Sequence, residues 1–347
     1  MVYLDNSATT AVSPSAAEAM VKAMTTQYGN PSSLHSLGVE AECLVTEARR
    51  SVARLIGASP EQVIFTGSGT EANNLAILGG AEAKNRRPHV AITTALEHPS
   101  VAKCFDALEK QGWSVTRLQP NEDGNITPEQ VEHACTPDTT VVSVMAVNNE
   151  TGAKLDIPTM VSRVKRIAPQ ALFHTDCVQA AGKIPLFAER WGVDLLSVSG
   201  HKLHGPKGVG ALYIRKGVRL LPRILGGGQE NGFRSGTEPV PAIVGFGTAA
   251  AEVPAFAEQE KQYMQLRNVL IEELQALPEV RWHTPTNAVP YIVNVSLLGF
   301  RSETLVHFLA ERNIFVSGGS ACSKGKHSSV LTAMRLPEQE MSCAHAL

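Results

Sequence analysis

The sequence lacks the marks of several protein classes. No run of about 18 apolar residues occurs, so no membrane span is expected. The start, MVYLDNSATT, has neither the basic stretch nor the apolar core of a secretory leader. No block of Lys or Arg stands out. The 31 basic and 33 acidic side chains leave a formal charge of −2, so nucleic acid is not expected as a partner. Six cysteines are scattered with no CxxC pair. A chain of 347 residues needs no disulfide staples. Free thiols in a reducing cytoplasm are expected, most of them small buried hydrophobes. What is present suits a folded protein: 43% apolar and 18% charged residues exclude a disordered chain. The length points to two domains.

Helical spacing marks Pro14 to Met24 and Gly38 to Ile56, the latter with Ala41, Leu44, Ala48, Val52 and Ile56 on one face. Short β-like runs follow at Gln62 to Phe65, His89 to Thr94, Ser114 to Leu118, Thr140 to Val147, Ala171 to Thr175, Leu195 to Val198 and Gly210 to Ile214. Helical patterns separate several of them. Such alternation predicts an α/β fold with a mostly parallel sheet and helices on both faces. After Gly226-Gly227-Gly228 a long amphipathic helix is expected from about Glu252 to Leu277, and then a smaller α+β unit.

Three segments carry chemistry. In Gly67-Ser68-Gly69-Thr70-Glu71-Ala72 a strand leads in and a helix leads out, the setting of a backbone anion cradle or of a plain tight turn. The segment also fits GxGxxA, with Glu97 as a loosely spaced acidic partner for a dinucleotide. In Ser199-Gly200-His201-Lys202-Leu203-His204-Gly205-Pro206-Lys207, a lysine follows a strand among small residues and histidines. A nucleophilic lysine needs a lowered pKa, which neighbouring cations supply. The HxxH spacing could ligate a metal, but no acidic partner stands nearby, and no metal is expected. In Phe173-His174-Thr175-Asp176-Cys177-Val178-Gln179, an apolar strand ends in Asp. Asp176 either caps a helix or points into the ligand crevice at the strand's carboxyl end, where a cofactor's protonated ring nitrogen would pair with it.

These segments, with Tyr3 to Thr10, Tyr28 to Ser33, Glu97-His98, Val147 to Gly152, Arg234 to Thr237 and Gly319 to Cys322, resemble the cysteine desulfurases of the class V aminotransferase group over nearly the whole chain. The resemblance implies the aspartate aminotransferase-like fold of enzymes dependent on pyridoxal 5′-phosphate (PLP). Residues 13–255 would form a large PLP-binding domain, and 1–12 with 256–347 a smaller one. Lys202 would hold PLP as a Schiff base and move protons. Asp176 would pair with the pyridinium nitrogen, Gln179 would bond the ring oxygen, and His98 would stack on the ring and serve as an acid or base. Asn149 would lie near substrate and ring. Gly69, Thr70, Ser199 and His201 would meet the phosphate. Thr237 would reach the phosphate of a neighbouring subunit, which implies a homodimer. Cys322, in a loop with three glycines and Lys324 and Lys326, would take sulfur from L-cysteine as a persulfide. L-alanine would leave, and the sulfur would pass to an iron–sulfur scaffold or a thiolation enzyme.

The last residues depart from the family pattern. Relatives continue with a strand and a terminal helix, the strand carrying an arginine for the substrate carboxylate. Here the sequence ends at Leu347, and Arg335 comes too early for that role. The small domain is expected to lose that strand and helix, exposing apolar surface, with normal cofactor binding and weakened turnover. Three alternatives remain: another class V enzyme (a selenocysteine lyase or an aminotransferase), a non-catalytic PLP-binding relative, and a nicotinamide dehydrogenase. The last leaves Lys202, Asp176 and Cys322 unexplained.

Overall fold

The computed structural model describes residues 1–84, 89–318 and 328–347. Among the described residues thirteen strands occur in chain order: β1 (Val2–Tyr3), β2 (Val63–Thr66), β3 (Val90–Thr94), β4 (Ser114–Leu118), β5 (Thr139–Ser143), β6 (Leu172–Asp176), β7 (Leu195–Ser199), β8 (Gly210–Ile214), β9 (Val280–Trp282), β10 (Asn294–Leu297), β11 (Ile314–Phe315), β12 (Ser317–Gly318) and β13 (Ala344–Ala346). Seven of them build the main sheet in the order β2-β8-β7-β6-β5-β3-β4. All pairs are parallel except those that β8 makes with β2 and β7. Strands β6, β7 and β8 are buried along their whole length, as expected of sheet strands covered on both faces.

The sheet order reverses beside β3. The chain steps outward from β3 to β4, returns to β5 on the other side, and continues to β6 and β7. Ligands of open α/β sheets bind beyond the carboxyl ends of strands at such a point. The carboxyl ends of β3, β5, β6 and β7 lead to His98, Asn149, Asp176 and Lys202 respectively.

The first two predicted helices form as Pro14–Thr25 and Ser36–Leu55, and both pack on the helix Val240–Ala251. That third helix was not expected. It is apolar nearly all round, so it carries no amphipathic signature. The long helix expected from Glu252 begins later, at Phe256, and ends at Leu274. Pro254 lies in the break, and the two helices meet at 83°. Among the described residues no single helix is long and apolar enough to cross a membrane.

The second sheet has the order β12-β13-β10-β9, antiparallel throughout. This corrects the expectation that the smaller unit lacks a strand at its end. Residues 344–346 fill a central position of that sheet, and Val293 and Leu347 exchange backbone hydrogen bonds beside it. Four cysteines, Cys104, Cys135, Cys177 and Cys343, are buried as expected, while Cys43 is exposed. Cys322 lies outside the described residues.

Candidate active site

A cavity of about 510 Å³ opens beyond the carboxyl ends of the main-sheet strands. Of the predicted site residues, Gly69, Thr70, His98, Asn149, Asp176, Gln179, Ser199, His201 and Lys202 all line it. Thr237 does not. It is exposed, in a loop that Arg234 fastens to Glu71 through a 3.0 Å ion pair.

The floor is built from strand ends. Asp176, the last residue of β6, is 4% exposed. Its Oδ1 accepts the Val178 N–H at 2.9 Å, and its Oδ2 accepts from Asn73 Nδ2 at 2.7 Å. Both donors are neutral. Among the described residues no cationic side chain is bonded to this buried carboxylate, which calls for a positive group from a ligand. Beside it, Gln179 donates from Nε2 to the Ser7 carbonyl at 2.8 Å, and its buried Oε1 has no partner among the described residues. An unsatisfied buried acceptor facing a cavity marks a place where a ligand donor fits.

Lys202 follows β7 in a short 3₁₀ turn. Its Nζ donates to the backbone carbonyls of Ser7 and Ala8, the latter at 2.7 Å. The N-terminal arm thus forms one wall. The two histidines of the HxxH pair also turn to that arm. His201 Nδ1 lies 3.2 Å from Thr9 Oγ1, and His204 Nδ1 lies 3.0 Å from the Ala11 carbonyl. Burial is the first cause that lowers His201 to about 4, and the cations Lys202, Lys207 and Lys183 add to it.

The strand–helix turn after β2 makes the cradle. Ser68 caps the helix Gly69–Asn74, accepting the Glu71 N–H at 3.1 Å. A Cβ on Gly69 would stand 2.9 Å from Val178 Cγ2 and 3.3 Å from Ser199 Cβ. Only glycine lets this backbone approach so closely, which is what an anion at the turn requires. The dinucleotide reading fails here. Glu97 is 3% exposed and holds the sheet together: its Oε1 accepts from Thr94 Oγ1 and from the Met145 N–H, both at 2.9 Å. Burial raises it to about 8, so at neutral pH it carries a proton and is no ribose-binding carboxylate.

His98 caps the helix Pro99–Lys110, and its Nδ1 accepts the Ser100 N–H at 3.2 Å. Ser100 Oγ lies 2.7 Å from the same nitrogen. Asn73 Nδ2 reaches both Ser100 Oγ, at 2.8 Å, and Asp176. Asn73, Ser100 and the two carbonyls of the arm are functional positions that sequence reasoning missed. Burial and Lys202 lower the His98 pKa, against the opposing pull of Asp176.

The opposite wall comes from the second sheet, with Ser317 and Gly318 of β12 and Ala346 of β13, and from Ser329 and Val330 at the start of the short helix Ser329–Ala333. Among the described lining residues none is arginine.

A parallel α/β sheet whose strand ends gather a lysine, a buried carboxylate and a glycine cradle defines the class V aminotransferase scaffold, and the aminotransferase class-V profile matches residues 2–337. A cysteine desulfurase from Nostoc sp. is 42% identical over 342 residues, spanning 97% of this chain and 85% of that protein. A NifS-like protein of known structure superposes with a TM-score of 0.94 at 37% identity, covering 100% of this chain and 93% of its own. SspA, solved in complex with cysteine, superposes with a TM-score of 0.88 at 34% identity and covers 100% and 98%. The chain belongs to the class V aminotransferase family, in its cysteine desulfurase branch.

Proposed function

We propose that this protein is a PLP-dependent cysteine desulfurase acting on L-cysteine. One observation carries the reading. Lys202 and the buried Asp176, which has only neutral donors on it, line one cavity with a glycine cradle and an unsatisfied Gln179 Oε1. These residues fit PLP. Lys202 would hold it, Asp176 would face its ring nitrogen, Gln179 its ring oxygen, and Gly69, Thr70, Ser199 and His201 its phosphate. When bound, PLP supplies an electron sink for charge developing at the substrate Cα.

The chain's own groups do the rest. Asp176 keeps a positive charge at the cavity floor, where low dielectric strengthens the pairing. Lys202 Nζ takes or gives a proton above that floor. His98 excludes water from one face, and Asn149 orients the substrate. Cys322, assigned on sequence, is the acceptor thiol. L-cysteine and that thiol become L-alanine and an enzyme persulfide. One sulfur atom moves, and no external oxidant or reductant is needed. Three of the buried cysteines are poor rivals: burial holds the Cys104 thiol up at about 12 and raises those of Cys135 and Cys177. We assign 13–255 to the cofactor-binding domain, 1–12 with 256–347 to the smaller one, and Thr237 to the site of a second copy in a homodimer. The persulfide is passed to a sulfur-acceptor protein, and the setting is the cytoplasm.

The test is to incubate the protein with L-cysteine and a thiol reductant and to quantify alanine and sulfide. Equal amounts of both are expected, with loss of both in Cys322→Ser and retention in Cys43→Ser. Production of a keto acid from cysteine in place of alanine would show an aminotransferase instead.

A further inference from the structure

Four side chains form an unbroken line from the cavity floor to the histidine on its wall: Asp176, Asn73, Ser100 and His98. The acceptor at one end, Asp176, and the Ser100 backbone N–H at the other set its direction. A carboxylate accepts, so the group facing Asp176 at 2.7 Å must be the amide nitrogen of Asn73 and not its oxygen. That fixes the amide. Its second N–H points at Ser100 Oγ, 2.8 Å away, and occupies a lone pair there. Ser100 Oγ, which keeps a second lone pair, also lies 2.7 Å from His98 Nδ1. The same nitrogen already accepts the Ser100 backbone N–H. A ring nitrogen that accepts a backbone N–H carries no proton, so the Ser100 hydroxyl donates to it and the neutral ring is protonated at Nε2.

We infer that Asn73 and Ser100 are positioning residues, a one-way donor chain by which Asp176 holds His98 as the neutral Nε2–H form. His98 then presents a donor at Nε2 and has no free basic nitrogen at Nδ1. The proposal deepens the active-site reading above by assigning how its histidine is poised. The side chains sit well sealed, with Asn73 1% and Ser100 8% exposed, so water does not compete for these bonds. Among the described residues, the charged and titratable groups around His98 are Asp176 at the end of β6, Lys202 and His201 after β7, Glu97 in its own turn, and Glu150 in the cavity lining.

The test is nitrogen NMR of the purified protein with its histidines labelled with ¹⁵N, the His98 signals being identified by their loss in His98→Gln. The chemical shifts should report a protonated Nε2 and a bare Nδ1 near neutral pH. Ser100→Ala removes the hydroxyl donor but leaves the backbone N–H, so the Nε2–H form should persist while the His98 titration moves up by about one pH unit. Ser100→Thr keeps the hydroxyl and should restore the wild-type titration. Asn73→Ala should move it in the same direction by less. A wild-type ring protonated at Nδ1 would overturn the inference without any variant, and so would a Ser100→Ala protein whose His98 titrates unchanged. Because the readout is the ring itself and not turnover, either result leaves the desulfurase reading standing on its own test.

Discussion

The two walls of the cavity are built on different principles. The main-sheet wall is polar, buried and cross-linked: Asp176, Asn73, Ser100, His98 and Lys202 each have a defined partner. Among the described residues the opposite wall offers Ser317, Gly318, Ala346, Ser329 and Val330, small or apolar groups without a charge. The contrast separates two tasks. Holding and tuning a charged aromatic cofactor needs fixed charges in fixed places, which rigid strand ends supply. Accommodating small substrates needs space more than charge. The main-sheet wall should therefore be intolerant of change and the second wall forgiving.

The largest expected effect is at Lys202. Lys202→Ala should lower alanine production by on the order of a thousandfold or more, since no other group replaces the amine. Asp176→Asn keeps the shape and removes the charge. It should cost about a hundredfold in turnover while the protein stays folded, which circular dichroism would verify. A matched pair of glycine substitutions then sharpens the contrast between walls. Gly69→Ala forces a methyl against Val178 and Ser199, and should destabilise by about 1–3 kcal/mol in a denaturant titration and weaken cofactor retention. Gly318→Ala meets chiefly Ser302 Oγ at 2.7 Å, a hydroxyl that can rotate away, and should stay within about 0.5 kcal/mol. Equal effects from the two would remove the distinction between the walls.

A pH experiment probes the polar wall by itself. The folded state holds the Glu97 proton up to about pH 8, whereas the unfolded chain releases it near its ordinary 4.5. A raised folded pKa gives stability that is complete below the unfolded value and lost as pH climbs through the folded one. The melting temperature of the wild type should therefore fall relative to Glu97→Gln between about pH 5 and about pH 9. A constant difference would mean that Glu97 is ionised throughout.

The chemistry was more legible in the sequence than the scaffolding around it. Lys202, Asp176 and the Gly67 to Ala72 turn stand at strand ends, where a short apolar run followed by a functional group is visible locally. Ser7 and Ala8, which hold Lys202 from 195 and 194 residues away, carry no such signal. Asn73 and Ser100 are 27 residues apart on different helices and become partners only when the sheet brings them together. The loosely spaced acid of the GxGxxA fingerprint could be weighed only in part, because spacing places Glu97 after a strand but does not say which way it points. The missed helix Val240–Ala251 has no polar face, and the overextended one ignored Pro254.

The most direct test of the central claim is borohydride treatment of the protein as purified, or after incubation with PLP, followed by peptide mass mapping. The account predicts the cofactor's mass retained on the peptide carrying Lys202, with loss of the visible absorbance. Retention on another lysine, such as Lys183 or Lys207, or on none, would contradict it.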